Sequence, residues 1–117
     1  GDNSKGIFQG KIFVNERAQK TNAYQLSNAL ILNDSAEFNA KPELEIYADD
    51  VKCSHGSSSG NLDKDAIYYL MARGIKKEDA IKLLVKGFLS EIIETIKLNY
   101  LKEIVEKHIE KSTLYEN

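Results

Sequence analysis

The stretch KPELEIYADDVKCSHGSSSG, residues 41–60, decides how the chain is read, because the apolar period differs on its two sides. Within it, Leu44-Glu45-Ile46-Tyr47 alternates in the period of two that marks a half-buried strand, with Pro42 and Asp49-Asp50 as boundaries. Upstream, from Ile7 onward, the apolar residues come in strand-sized runs: Ile7-Phe8, Ile12 to Val14, Ala29 to Leu32, and Phe38. Gly, Asn and Asp separate them, so this half is expected to be β. Its strand spacing is irregular and hairpin dipeptides are few, which argues against a meander, and it is short for a closed barrel. Strands stacked in successive coils suit it, although no sequence repeat recurs at a sharp period.

Downstream of Gly60 the period becomes helical. Asp63 fits the N-cap of a helix over 64–73, and Gly74 stands where a C-cap needs positive φ. A second helix is predicted from near Lys76, with Glu78 and Asp79 in its first turn favourable to the helix dipole. Ile81, Leu84, Val85, Phe88, Ile92 and Ile96 recur at helical spacing, and Leu83, Leu89 and Ile93 widen the stripe. Three short helices cannot easily hide so much apolar surface, so a docking groove for another protein stands beside a pure core role. From Leu98 a narrower stripe through Leu101, Ile104, Val105, His108 and Ile109 predicts a third helix, or a continuation bent near Asn99. His108 is expected to pack half-buried there, with no further role.

The bulk numbers restrict function. Sixteen basic against eighteen acidic residues give a net charge of -2, with no patch that suggests nucleic acid. Cys53 is the sole cysteine and there are two histidines, which excludes an internal disulfide and a four-ligand zinc site of Cys and His alone. A reducing compartment fits. No apolar run has membrane-spanning length and no signal-peptide pattern opens the chain, so a soluble protein is expected. Gly1 to Lys5 reads as a small polar leader ahead of a segment excised from a longer protein.

The densest polar cluster is Asp49-Asp50-Val51-Lys52-Cys53-Ser54-His55-Gly56. In an extended chain, Cys53 and His55 are two residues apart and project from the same face. Thiolate and imidazole side by side suit iron, copper or zinc, or a nucleophile with its base. Equally, a cysteine fills cores and a histidine at a strand end caps by hydrogen bonding. Two ligands without a third orienting group favour that plainer reading on spacing alone. Asp49 and Asp50 read as a turn, and the run from Gly56 to Gly60 lacks the pattern of a phosphate loop and reads as a flexible join.

Three stretches, GKIFVNERAQKTNAYQLSNALIL (10–32), AKPELEIYADDVKCSHGSSSG (40–60) and AIYYLMARGIKKEDAIKLLVKGFLSEI (66–92), together resemble the C-terminal region of the SufD/SufB family of iron-sulfur cluster assembly scaffolds. Cys53-Ser54-His55-Gly56 after the paired Asp looks like the SufD branch, since the SufB branch tends to carry a Glu-His pair there. The serines after Gly56 depart from the Ala-Thr type sequence of that branch.

The resemblance implies a mainly β plus α chain: the terminal coils of a right-handed parallel β-helix over 1–60, followed by a C-terminal helical domain over 61–117. It implies a non-enzymatic scaffold subunit, cytoplasmic or plastid, that pairs with a SufB-like subunit and docks a SufC-like ABC ATPase. A transient iron-sulfur cluster or iron would be handled by the full complex, with no cofactor held tightly by this chain. By the same resemblance Cys53 and His55 are implied iron ligands at the SufB-type contact, where a Cys of the partner completes the set; His55 is the better candidate. The helices from Asp63 to Glu94 become the ATPase dock, with Ile81, Leu84, Phe88, Leu89 and Ile92 as contact candidates. Two alternatives remain: a thiol-dependent enzyme using Cys53 and His55, and an inert structural subunit. A β-helix cut across its coils also exposes an unpaired edge, through which self-association is expected.

Overall fold

A computed structural model describes residues 3–112. The mixed β and α composition expected from the change of period is present. Four strands, β1 (Lys5–Val14), β2 (Asn22–Ile31), β3 (Glu37–Ile46) and β4 (Lys52–Asn61), precede three helices, α1 (Lys64–Ala72), α2 (Lys77–Ile93) and α3 (Asn99–Glu110). The chain divides between Asn61 and Leu62 into two compact units.

In the first unit each strand pairs with the one two further along. β1 runs parallel to β3 from Lys5↔Glu37 to Val14↔Ile46, an offset of 37 − 5 = 32 residues. β2 runs parallel to β4 from Asn22↔Lys52 to Ile31↔Asn61, an offset of 52 − 22 = 30. The turns between strands stack in the same way: Lys20 N–H donates to the Asp50 carbonyl at 2.6 Å, and Asp50 N–H donates to Gln19 Oε1 at 2.9 Å. Asp49 and Asp50 thus shape a bend, as their adjacency suggests.

Odd positions of β1 and β3 form an outer polar ladder. Lys5 pairs with Glu37 at 3.0 Å, Lys11 with Glu45 at 2.9 Å, and Gln9 donates to Glu43 at 2.8 Å. Even positions, Gly10, Ile12 and Val14, take the opposite face, where Val14 is buried. The two strand pairs meet there, Gly10 lying against the side-chain amide of Gln25 on β2. A Cβ at position 10 would collide with that amide, so the glycine inside β1 permits a close approach that a side chain would block.

Two features of the sequence reading need correction here. Ile7-Phe8 and Ile12 to Val14 are parts of one ten-residue strand, because Gly10 interrupts the apolar pattern without interrupting the ladder. The run from Gly56 to Gly60 is not a flexible join; it is the second half of β4, in register with Leu26 to Leu30. Serine and glycine have little intrinsic strand preference, and it is the backbone ladder to β2 that holds them extended.

The second unit follows local chemistry closely. Asp63 caps α1, its Oδ1 accepting from Asp65 N–H at 2.9 Å and Ala66 N–H at 3.1 Å. At the other end Gly74 has φ 90°, and the N–H groups of Ile75 and Gly74 bond back to the carbonyls of Leu70 and Met71, the paired bonds of a Schellman motif. α2 contributes the buried residues Ala80, Val85 and Ile93 and packs against α1 and α3. It stops at Ile93, leaving Ile96 of the predicted stripe outside it; the Thr95 hydroxyl donates to the Ile92 carbonyl at 2.6 Å, and α3 is a separate helix. Lys102 of α3 reaches back to Glu94 at 2.7 Å.

His108 is exposed, not half-buried. α3 turns Lys102, Val105 and Ile109 inward, and the neighbouring row that carries Leu101 and His108 faces outward.

Candidate functional site

β4 carries both sequence-predicted ligands, and its register fixes their direction. Ser58 Oγ meets Asn28 Oδ1 at 2.8 Å, so the even positions of β4 share a face with the even positions of β2. Cys53 and His55 take the other face, with Ala23 and Gln25 as their respective register partners. Because the Gln25 amide reaches Gly10 on β1, this is the face that looks toward the other strand pair. Cys53 is a half-buried free thiol, and His55 is exposed.

The pair therefore offers one sheltered soft donor and one accessible nitrogen on a single face, two residues apart. Among the described residues no group of three or more His, Cys, Asp or Glu side chains gathers into a metal-holding cluster. Asp49 and Asp50 are exposed and do not join Cys53 and His55 in one. Two donors can share the coordination of an ion that another surface completes.

Gln25 escaped the sequence reading. Tyr24-Gln25-Leu26 alternates apolar and polar residues, which by pattern alone would put the glutamine in solvent; in the structure Tyr24 is 63% and Leu26 57% exposed, while Gln25 turns inward among Ala23, Ser27 and Ala29. The available signal was Gly10, a residue whose missing side chain left space for a neighbour.

The helical candidates lie on α2. Ile81, Leu84, Phe88 and Leu89 are half-buried, and Ile92 is exposed, as is Leu83. Leu89, Ser90 and Ile93 line one wall of a cleft whose other wall is Glu106 and Ile109 of α3. No described helix is long and apolar enough to cross a membrane.

A second polar group lies outside this site. Tyr47 donates to Glu45 Oε1 at 2.7 Å, and Lys11 donates to the other carboxylate oxygen. The hydrogen bond from Tyr47, and then that from Lys11, hold the Glu45 carboxyl below its usual range. The bond to Glu45 raises Lys11 and Tyr47 in turn.

Residues 1–88 match the family model described as SUF system FeS cluster assembly, SufBD core domain. The chain belongs to the SufBD family. It is 41% identical over 104 residues to the iron-sulfur cluster assembly protein SufD of Escherichia coli, covering 89% of this chain and 25% of that protein. It is 42% identical over 105 residues to protein ABCI7, chloroplastic, of Arabidopsis thaliana, covering 90% and 22%. To SufD of Bacillus subtilis it is 37% identical over 110 residues, covering 94% and 25%. These likenesses agree with the SufD branch. The chain spans about a quarter of the length of these curated relatives. The SufBD core match contains β4 with Cys53 and His55 and extends along α2 as far as Phe88.

Proposed function

We propose that this chain is part of a scaffold subunit of a Suf-type iron-sulfur cluster assembly complex. In this reading β1 and β2 belong to one coil, and β3 and β4 to the next, of a right-handed parallel β-helix, a reading supported by strands that pair in parallel with partners 30–32 residues further on. A SufB-like subunit meets the edge of β4 and a SufC-like ABC ATPase docks on the helices. The location is the cytoplasm, or the plastid as for the relative named chloroplastic. The role is non-enzymatic: the cluster is cargo, built at the contact and passed on.

The observation that carries the reading is the placing of half-buried Cys53 and exposed His55 on one face of β4. β4 pairs only with β2 among the described residues, so its other edge is open to a neighbouring strand. His55 is the residue best placed to reach an iron that a partner's thiolate also holds, its neutral imidazole supplying a lone pair. The sheltered thiol of Cys53 assists or fills the core behind it.

The test is His55→Ala in the complete scaffold complex, with cluster formation followed by visible absorbance during reconstitution. Loss of cluster is expected. Normal assembly would reduce the pair to a structural role, and rapid alkylation of Cys53 near neutral pH would favour a thiol enzyme instead.

A further inference from the structure

Gln25 presents an unmet acceptor beside this site. Its Oε1 is buried and accepts no hydrogen bond among the described residues. Such an atom is unfavourable unless a donor reaches it, and buried amide oxygens rarely lack one. The close approach to Gly10 shows that the side chain is directed inward, and His55 is its register partner on the same face of the adjacent parallel strand. Strands in a ladder lie about 4.8 Å apart, so side chains at paired positions stack within reach of one another.

The neighbouring groups offer few other donors. Pro42, the register partner of Gly10, has no backbone N–H. Cys53 and Ser57 flank His55 on the same face of β4; the thiol is a weak donor, and both are paired with other residues of β2, Ala23 and Ser27. The imidazole N–H is the strong donor at Gln25's own level.

We propose that Gln25 is a positioning residue for His55. The two groups are not bonded in the structure described; a turn of the exposed His55 ring would bring one ring N–H to the amide oxygen, fixing the tautomer and the ring plane and leaving the lone pair of the other nitrogen free for iron. The proposal rests on the reading of His55 as a ligand, and it supplies the orienting group that the Cys-x-His spacing lacks. Partners of this kind behind a ligating histidine typically change metal affinity by about 10–100-fold when removed.

The chain holds only two histidines, His55 and His108, so ring-nitrogen NMR of the full chain resolves both, with exposed His108 as the internal reference. At alkaline pH His55 is expected in one dominant tautomer and His108 in a mixture. Gln25→Met, which keeps the length and removes the acceptor, should return His55 to the mixture, and Gln25→Glu should restore the single tautomer. A mixture in the native chain overturns the proposal without any variant having to fold. So does an unchanged tautomer in Gln25→Met, or a change that Gln25→Glu fails to reverse, which would assign the effect to packing. In the complete scaffold, Gln25→Met should lower iron affinity about 10–100-fold and Gln25→Glu should recover it. If the tautomer results hold while His55→Ala still assembles cluster, the Gln25–His55 contact stands and the ligand reading is what fails.

Discussion

Ile92→Lys tests the helical dock with little disturbance of the fold. Ile92 is 59% exposed and lies next to the last residue of α2, so about two-fifths of its side chain is covered. Complete burial of an isoleucine stabilises by about 1.5–3 kcal/mol, so the substitution removes about 1 kcal/mol. A cation in the last turn of a helix returns about 0.3–1 kcal/mol through the macrodipole. The net cost is then small, and the melting temperature should move by no more than a few degrees. Phe88 and Leu89 are half-buried, and a charge at either would mix unfolding with loss of binding. If Ile92 anchors a SufC-like ATPase, its replacement by Lys should cost at least about 2 kcal/mol of binding, roughly 30-fold in Kd. Calorimetric titration of the native and variant chains with that ATPase reads this directly. An affinity within about threefold of native, with an unchanged melting curve, would refute Ile92 as an anchor and move the dock to another face.

Asp63→Ala removes the acceptor of two N–H bonds at the start of α1 and should destabilise by about 1 kcal/mol, measured by denaturant unfolding; an unchanged midpoint would show that the cap contributes nothing. For the surface trio, the sign follows from each shift. Glu45 is lowered from 4.5, so its contribution is present above that pH and fades as pH falls through the depressed value. Tyr47 is raised from 10.0 and Lys11 from 10.5, so their contributions are present below those values and fade as pH rises through the raised ones. Glu45→Gln should return the Tyr47 titration toward 10.0, followed by NMR of the ring; no change would mean that another group raises it. The open edges of β3 and β4 should produce concentration-dependent self-association in sedimentation, and a strict monomer at high concentration would contradict that.

What could be read from the sequence was local. Asp63, Gly74 and the acidic first turn of α2 act through groups within a few residues of themselves, and the structure keeps them where the pattern put them. The shared face of Cys53 and His55 follows from the period of a strand alone. By contrast, the absence of a visible repeat has a simple cause: the spatial period is 30–32 residues and recurs only once, so self-similarity has a single instance in which to appear.

The sequence by itself determined the change from β to α near residue 60, the sheet-forming half, the two ends of α1 and the shared face of Cys53 and His55. Tertiary structure decided the rest, because parallel pairing is made by backbone groups 30 residues apart whose register no local pattern records. That pairing turned Gly56 to Gly60 into strand, sent Tyr24 and Leu26 outward, and made Gln25 the register partner of His55. Within the helical unit, packing on α2 separated the outward row of α3, with His108, from the row that packs. Side-chain period states which residues share a face; only long-range packing states which face is covered.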